Sequence, residues 1–358
     1  MNILFVTDLC PIKQDENLPL TLLEFILDFQ KLGHKVLLFR PNVIPNVLIR
    51  GRKILKEGVY DFCGIRCINK NFLTPFFKES DFTFLKDEKF NLILSHMPSG
   101  ILAANKISKK FNVPYFVSVH SSDIKVLEDI KYAFLKPLMK QAYMEAKMVL
   151  PRSFWLDERI KKNISNNLKT SLIPSGISGN AVLENVIKKD DLKRILSVGS
   201  LIKRKNFEEL IIASKALDME LVIAGEGKNK KNLQHLIKKT GAKVKLLGKK
   251  SKEEINKLML EFDLFILPSL NETFGMVYLE ALSKGCVVVC SENSGMAGFI
   301  KDGFNGFISK PDNKSLIDTV KRIKEYGDID KIKENALQTA RDMEKIKMAE
   351  NYLKNILF

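Results

Sequence analysis

Short apolar runs recur along the chain, each followed by a longer stretch whose apolar positions repeat with helical period. Residues 3–6, 36–39, 91–95 and 115–119 are the first such runs, and 148–151 and 171–174 close the series. Continuous apolar runs of this length, bounded by turn residues, read as buried parallel strands. Between the first two, residues 20–32 carry a helical pattern that stops at Gly33. After the polar stretch 178–191 a second series opens at 195–199 and continues at 221–224, 244–247, 264–267 and 287–289. Alternating strands and helices predict parallel sheets. The expected fold class is therefore α/β, with two Rossmann-like doubly wound domains. The boundary falls near Pro174, giving domains at 1–173 and 174–335, with helical pattern again over 331–357.

Candidate chemistry collects around Asn271–Leu282. The run 264–267 ends at Pro268, which cannot donate to a ladder. Met276, Val277, Leu279, Ala281 and Leu282 then fit a helix, with Gly275 where it begins. A helix start presents unpaired N–H groups and partial positive charge, which suit a phosphate. Glu272 lies before that start and Glu280 lies inside the helix. Acids accept hydrogen bonds from hydroxyls while amides hold a diphosphate, so the pair suits a nucleotide-sugar. Two solvated helix-end glutamates are the plain alternative. Lys203, Arg204 and Lys205 occupy a strand-to-helix loop, where a solvated basic turn is the alternative. His96 and His120 each follow a predicted strand, where polar side chains point into a ligand crevice. A hydrogen-bonded structural histidine is the alternative there. Gly225-Glu226-Gly227 follows a strand but lacks the third glycine of a dinucleotide fingerprint. Asp328-Ile329-Asp330 lies between helical stretches, away from the strand end that a metal site would use, so no metal is expected.

Taken together, several motifs resemble the retaining glycosyltransferases of family 4, which have the GT-B fold. They are the E-x7-E spacing of Glu272 and Glu280, the Phe274-Gly275 pair between them, and Ala281-Leu282 followed by Gly285. The resemblance covers nearly the whole chain and is densest over 199–306. It implies two domains facing each other across a cleft, an acceptor-binding first domain, a donor-binding second, and residues 336–358 as a terminal helix packing back on the first. It implies that Glu272 meets the donor sugar, Glu280 the ribose, and the backbone at Phe274, Gly275, Met276 and Val277 the diphosphate. The segment from Val119 to Ile124 resembles the family's H-G-S-D, which puts His120 near the donor sugar; His120 and Glu272 are the expected catalytic pair. The loop from Gly199 resembles G-R-L…K-G, so Lys205 binds pyrophosphate, with Arg204 supplying the charge that Ser200 lacks. Gly225 is expected on the base side. Residues 173–176 resemble the I-P-N-G segment near the hinge. Two departures stand out: the loop after the first strand has no glycine, and Gly298 stands where the family has a glutamate. The resemblance implies retaining transfer from a UDP- or GDP-linked sugar, without a cofactor, to a glycan or lipid-linked acceptor in bacterial surface polysaccharide assembly. Another GT-B enzyme (an epimerase or a phosphorylase) or a polyanion-binding relative are the alternatives.

The chain has 358 residues and a formal net charge of +16. Residues 1–180 hold 26 Lys and Arg against 17 acids, and 181–358 hold 32 against 25, so the excess is spread rather than held in a basic arm. That disfavours nucleic acid and fits anionic substrates or an acidic membrane surface. Residues 41–56 contain Arg50, Arg52, Lys53 and Lys56 and no acid. This segment is expected either to lie on a membrane or to form a solvated helix. No signal peptide or spanning segment is evident, so the expected location is cytoplasmic, with peripheral contact at the membrane's inner face. The five cysteines are expected as reduced core thiols.

Overall fold

The structure is a computed structural model and describes residues 1–358 apart from 15, 17, 19, 46–52, 188–191 and 358. Contacts divide the chain into two units. The first comprises Met1–Arg152, Leu156–Pro174 and Met348–Phe358; the second comprises Ser153–Trp155 and Ser175–Lys347.

The first unit holds β1 (Asn2–Val6), β2 (Lys35–Val43), β3 (Gly58–Phe62), β4 (Ile65–Phe72), β5 (Leu92–His96), β6 (Tyr115–Val119) and β7 (Met148–Pro151). They form one sheet in the order β3-β4-β2-β1-β5-β6-β7, parallel except for β3. The apolar runs lie where burial on both faces requires them: every residue of β5 and β6 is buried. The hairpin β3–β4 went unread in the sequence because β3 is an exposed edge, with no continuous apolar run. Its two turn residues, Cys63 and Gly64, both have positive φ (53° and 72°), as a two-residue hairpin of right-handed twist demands. Cys63 is therefore exposed, against the expectation of core thiols, while the other four cysteines are buried and all five are free. Of the basic segment 41–56, residues 41–43 are not helical but the buried end of β2, paired with β4, and residues 46–52 lie outside the described residues.

The second unit holds β8 (Arg194–Val198), β9 (Glu220–Ala224), β10 (Val244–Leu246), β11 (Leu264–Leu267), β12 (Val287–Ser291) and β13 (Phe307–Ser309). Their order is β10-β9-β8-β11-β12-β13, and every pairing is parallel. The chain builds outward from β8 through β9 to β10, then returns to β8's other side with β11. That reversal is a topological switch point, where loops beyond adjacent strand ends diverge and leave a crevice. The first sheet has its own reversal between β1 and β5.

Two predicted elements differ. Residues 171–174 are not a strand: Thr170 makes an isolated bridge to Val149, followed by Ser171 N–H to Val149 O at 3.0 Å. The terminal helical pattern is two helices, Ile329–Asp342 and Lys345–Leu357, not one. Ile177 explains the break. Its N–H donates to Met343 O at 2.9 Å, and Lys345 N–H donates to its O at 2.8 Å, so extended pairing replaces the helical bonds there. The return to the first unit starts at Met348, not at 336. Tyr352 then packs its ring on Phe25 (centroids 4.8 Å apart) and shares a 2.9 Å hydrogen bond with Ser118 Oγ.

Candidate functional site

In the second unit, the loops after β8 and β11 flank the switch point. The first runs from Gly199 through a short 3-10 turn, Lys203–Lys205, to Asn206 in the left-handed region (φ 56°) and the helix Phe207–Ala216. The second runs from Pro268 to Gly275, the N-cap of the helix Met276–Leu282. The loops are tied together: Leu270 N–H donates to Arg204 O at 2.8 Å, and Arg204 Nη1 donates to Asn271 O at 3.3 Å. At the centre, Lys205 Nζ pairs with Glu272 Oε2, and Arg204 Nη1 reaches the same oxygen at 3.3 Å. Lys205 is 9% exposed and Glu272 is 6% exposed. Burial alone would raise the Glu272 pKa, but Lys205 and then Arg204 hold it below the usual carboxylate range. The carboxylate is therefore charged and held by both cations.

Glycines shape the same loops. Gly225 brings its backbone so close to Gly199 that a Cβ there would lie 1.9 Å from Gly199 O. Gly275 sits at φ 82°, and a Cβ there would stand 2.5 Å from the Tyr278 ring and 3.0 Å from Glu272 Cγ. The Phe274 side chain is buried against Phe299 (5.8 Å), so this residue offers the site only its backbone. Met276 and Val277 begin the helix and are half-buried. Glu280 is half-buried too; burial raises its pKa, opposed by Lys252 and Lys345. Its charged surroundings thus differ from those of Glu272. A Cβ at Gly298 would meet the Phe154 ring at 2.5 Å, which accounts for glycine where the family has glutamate. Asp328 caps the helix Ile329–Asp342 by accepting from Lys331 N–H at 3.0 Å. Among the described residues no three His, Cys, Asp or Glu side chains cluster as metal ligands.

His120 belongs to the first unit and heads the helix Ser121–Glu128. Its N–H donates to Asp123 Oδ2 at 2.7 Å. Its Nε2 lies 3.1 Å from His96 Nδ1, and its Nδ1 lies 3.5 Å from Arg152 Nη1. Arginine can only donate, so His120 Nδ1 is the acceptor and the proton sits on Nε2, facing His96. His96 in turn stacks on Phe5 (5.3 Å, 16°). Burial first, and Arg152 second, lower both histidines: His96 to about 3 and His120 well below the ordinary value. Both are neutral imidazoles at neutral pH. Burial holds Asp123 up to about 7, against hydrogen bonds from His120 N–H, Tyr143 and Ser122. The sequence offers both histidines as crevice candidates and gives only His120 a donor-side role; the structure joins the two, with Arg152 and Asp123 as further members. The three-residue step from His120 to Asp123 was the available signal, since it is the spacing of a capping box.

Across its length the chain superposes on the Anabaena HepE protein solved in complex with UDP, with TM-score 0.76 and 18% identity over 100% of both chains. The fold is that of the GT-B proteins, two parallel-sheet α/β domains. Residues 182–342 match the family model of the glycosyl transferases group 1. A relative from Campylobacter jejuni, N-acetylgalactosamine-N,N'-diacetylbacillosaminyl-diphospho-undecaprenol 4-alpha-N-acetylgalactosaminyltransferase, is 33% identical over 62% of this chain and 63% of its own length. A putative teichuronic acid biosynthesis glycosyltransferase of Bacillus subtilis is 27% identical over 65% of this chain and 61% of its own. The matched stretch thus spans less than two thirds of both relatives.

Proposed function

We propose that the protein transfers a sugar, with retention of configuration, from a UDP- or GDP-linked donor to a glycan or lipid-linked acceptor in bacterial surface polysaccharide assembly. The observation that carries this reading is the Lys205–Glu272–Arg204 cluster at the second sheet's switch point. In this reading the second unit holds the donor. Lys205 and Arg204 take the diphosphate, with the amides of Phe274–Val277 beside it; Glu272 accepts from sugar hydroxyls and Glu280 from the ribose. Gly199 and Gly225 keep the base side open by close backbone approach. The acceptor hydroxyl attacks the anomeric carbon from the face that the diphosphate leaves. The carbon–phosphate-oxygen bond breaks as the new glycosidic bond forms, and a leaving phosphate oxygen takes the hydroxyl proton. The two cations neutralise that leaving group, so no divalent metal is required. His120, neutral and with both ring nitrogens engaged, orients rather than shuttles protons. The relatives named for a diphospho-undecaprenol substrate and for teichuronic acid biosynthesis support a lipid-linked or glycan acceptor, taken by the first unit. Such work suits a cytoplasmic protein at the membrane's inner face.

The test is product analysis with UDP- and GDP-sugars in excess EDTA. Nucleoside diphosphate released only with acceptor, and a product anomer matching the donor's, support the proposal. Epimerised donor without acceptor, phosphorolysis, or activity that EDTA removes and manganese restores would overturn the corresponding part.

A further inference from the structure

Three residues, Ser153–Trp155, belong to the second unit although the chain on either side of them belongs to the first. Two of them support the loop that carries Glu272. Ser153 is fully buried, and its Oγ donates to Thr273 O at 2.5 Å. Gly295 N–H donates to the preceding carbonyl, Glu272 O, at 2.6 Å. A trans peptide points its C=O and its N–H to opposite sides, so fixing these two carbonyls turns the Thr273 and Phe274 N–H groups the other way. Aromatic rings continue the support. Phe154 lies 5.5 Å from Phe299, which meets Phe274 edge-on at 5.8 Å. The turn carrying Phe299 is closed by its own N–H and that of Ile300, which donate to Met296 O at 3.0 and 2.9 Å. Phe154 itself is 51% exposed, so its ring adds little to the core. There is room for that ring because residue 298 is glycine: a Cβ there would stand 2.5 Å from it.

We propose that Ser153 and Phe154 are positioning residues for the nucleoside diphosphate of the donor. Ser153 sets the Thr273 peptide. Phe154 braces Phe274 through Phe299. Together they keep the Glu272 carboxylate and the two N–H groups in one arrangement, which is what holding a diphosphate demands. Both act through the loop rather than on the ligand. At position 298 the chain gives up the side chain that the family carries and places an aromatic brace there instead. The inference rests on the reading of this loop as the donor site and adds the residues that hold it in shape.

The experiment is isothermal titration of the full chain with UDP and with GDP, beside thermal unfolding without nucleotide. The nucleotide that wild type binds should bind about tenfold more weakly to Phe154→Ala. Phe154→Tyr keeps the ring and should restore most of the affinity. Ser153→Ala should weaken binding about fivefold. Gly298→Ala should weaken binding in the wild-type chain by displacing the ring, and add little in Phe154→Ala, where no ring is left to displace. The melting temperature of Phe154→Ala should stay within about 2 °C of wild type, because half of the ring already faces water. Wild-type affinity in folded Phe154→Ala or Ser153→Ala overturns the positioning role and leaves the donor reading standing. So do equal losses from Gly298→Ala with and without the Phe154 ring, or a large fall in melting temperature at unchanged affinity, since the ring would then serve packing alone. Binding of neither UDP nor GDP by wild type overturns the donor reading and this inference together.

Discussion

Two cations share one oxygen of a buried carboxylate at Glu272, and this makes the residue sensitive to either partner. Removing one side of a buried ion pair leaves uncompensated charge, at a typical cost of about 3–5 kcal/mol. Because Arg204 remains, Lys205→Met should fall near the lower end, about 3 kcal/mol by urea unfolding. Adding Glu272→Gln should recover part of that loss, since the stranded charge goes too. Additive losses would mean that the pair is not coupled. The imidazoles of the first unit set a pH dependence. His96 has a folded pKa of about 3 against 6.5 when free. Between those values the unfolded chain binds a proton that the folded chain refuses, so stability falls as pH drops below 6.5. His120, lowered in the same way, adds to the fall. Asp123, at about 7 against 3.8, works oppositely between those two values, because there the folded chain holds the extra proton. One imidazole is thereby offset. His96→Gln should flatten the stability profile between about pH 4 and 6 by roughly 1.4 kcal/mol per pH unit relative to wild type. Parallel profiles would show that His96 titrates normally.

At the scale of elements, the ends of helices separate glycine's backbone role from its steric one. Gly33 ends the first helix and Gly275 begins the helix Met276–Leu282, and both have φ 82°. A Cβ at Gly33 would meet nothing within 4 Å, whereas at Gly275 it would strike Tyr278 and crowd Glu272. Gly33→Ala should therefore cost only the left-handed penalty, about 1–2 kcal/mol. Gly275→Ala should cost that plus overpacking of about 1–3 kcal/mol, and should displace the carboxylate. Thermal unfolding of both variants checks the difference; similar losses would mean that the Gly275 turn relaxes freely.

For the whole molecule, the last helix closes the first unit although the second unit intervenes in sequence. Tyr352 is buried on Phe25 and Phe29 and bonds Ser118 at the heart of β6. Tyr352→Ala should cost about 3–5 kcal/mol, in the range of large aromatic truncations. Hydrogen exchange should show the loss as faster exchange in β1, β5 and β6 with β8–β12 unchanged. Equal acceleration in both sheets would mean that the units do not unfold separately.

The parallel strands were legible because burial on both faces leaves a local trace, a short apolar run between turn residues. β11 and β6 were placed to the residue for that reason. Glu272, Glu280 and Lys205 were legible as spacing and resemblance. Strands β3, β4 and β13 were not, since edges and half-polar strands carry no such run. The break at Met343 was hidden as well, because the pairing with Ile177 that causes it comes from a distant part of the chain. The sequence by itself determined two doubly wound halves and a short roster of reactive side chains. Only the tertiary structure decided which of them meet. Lys205 and Glu272 stand 67 residues apart in the chain, and they touch because the crossover sets β11 directly beside β8. His96 and His120 meet because β5 and β6 are neighbours in register. Local pattern reports burial; it carries no record of strand order, and strand order is what brings distant charges into contact.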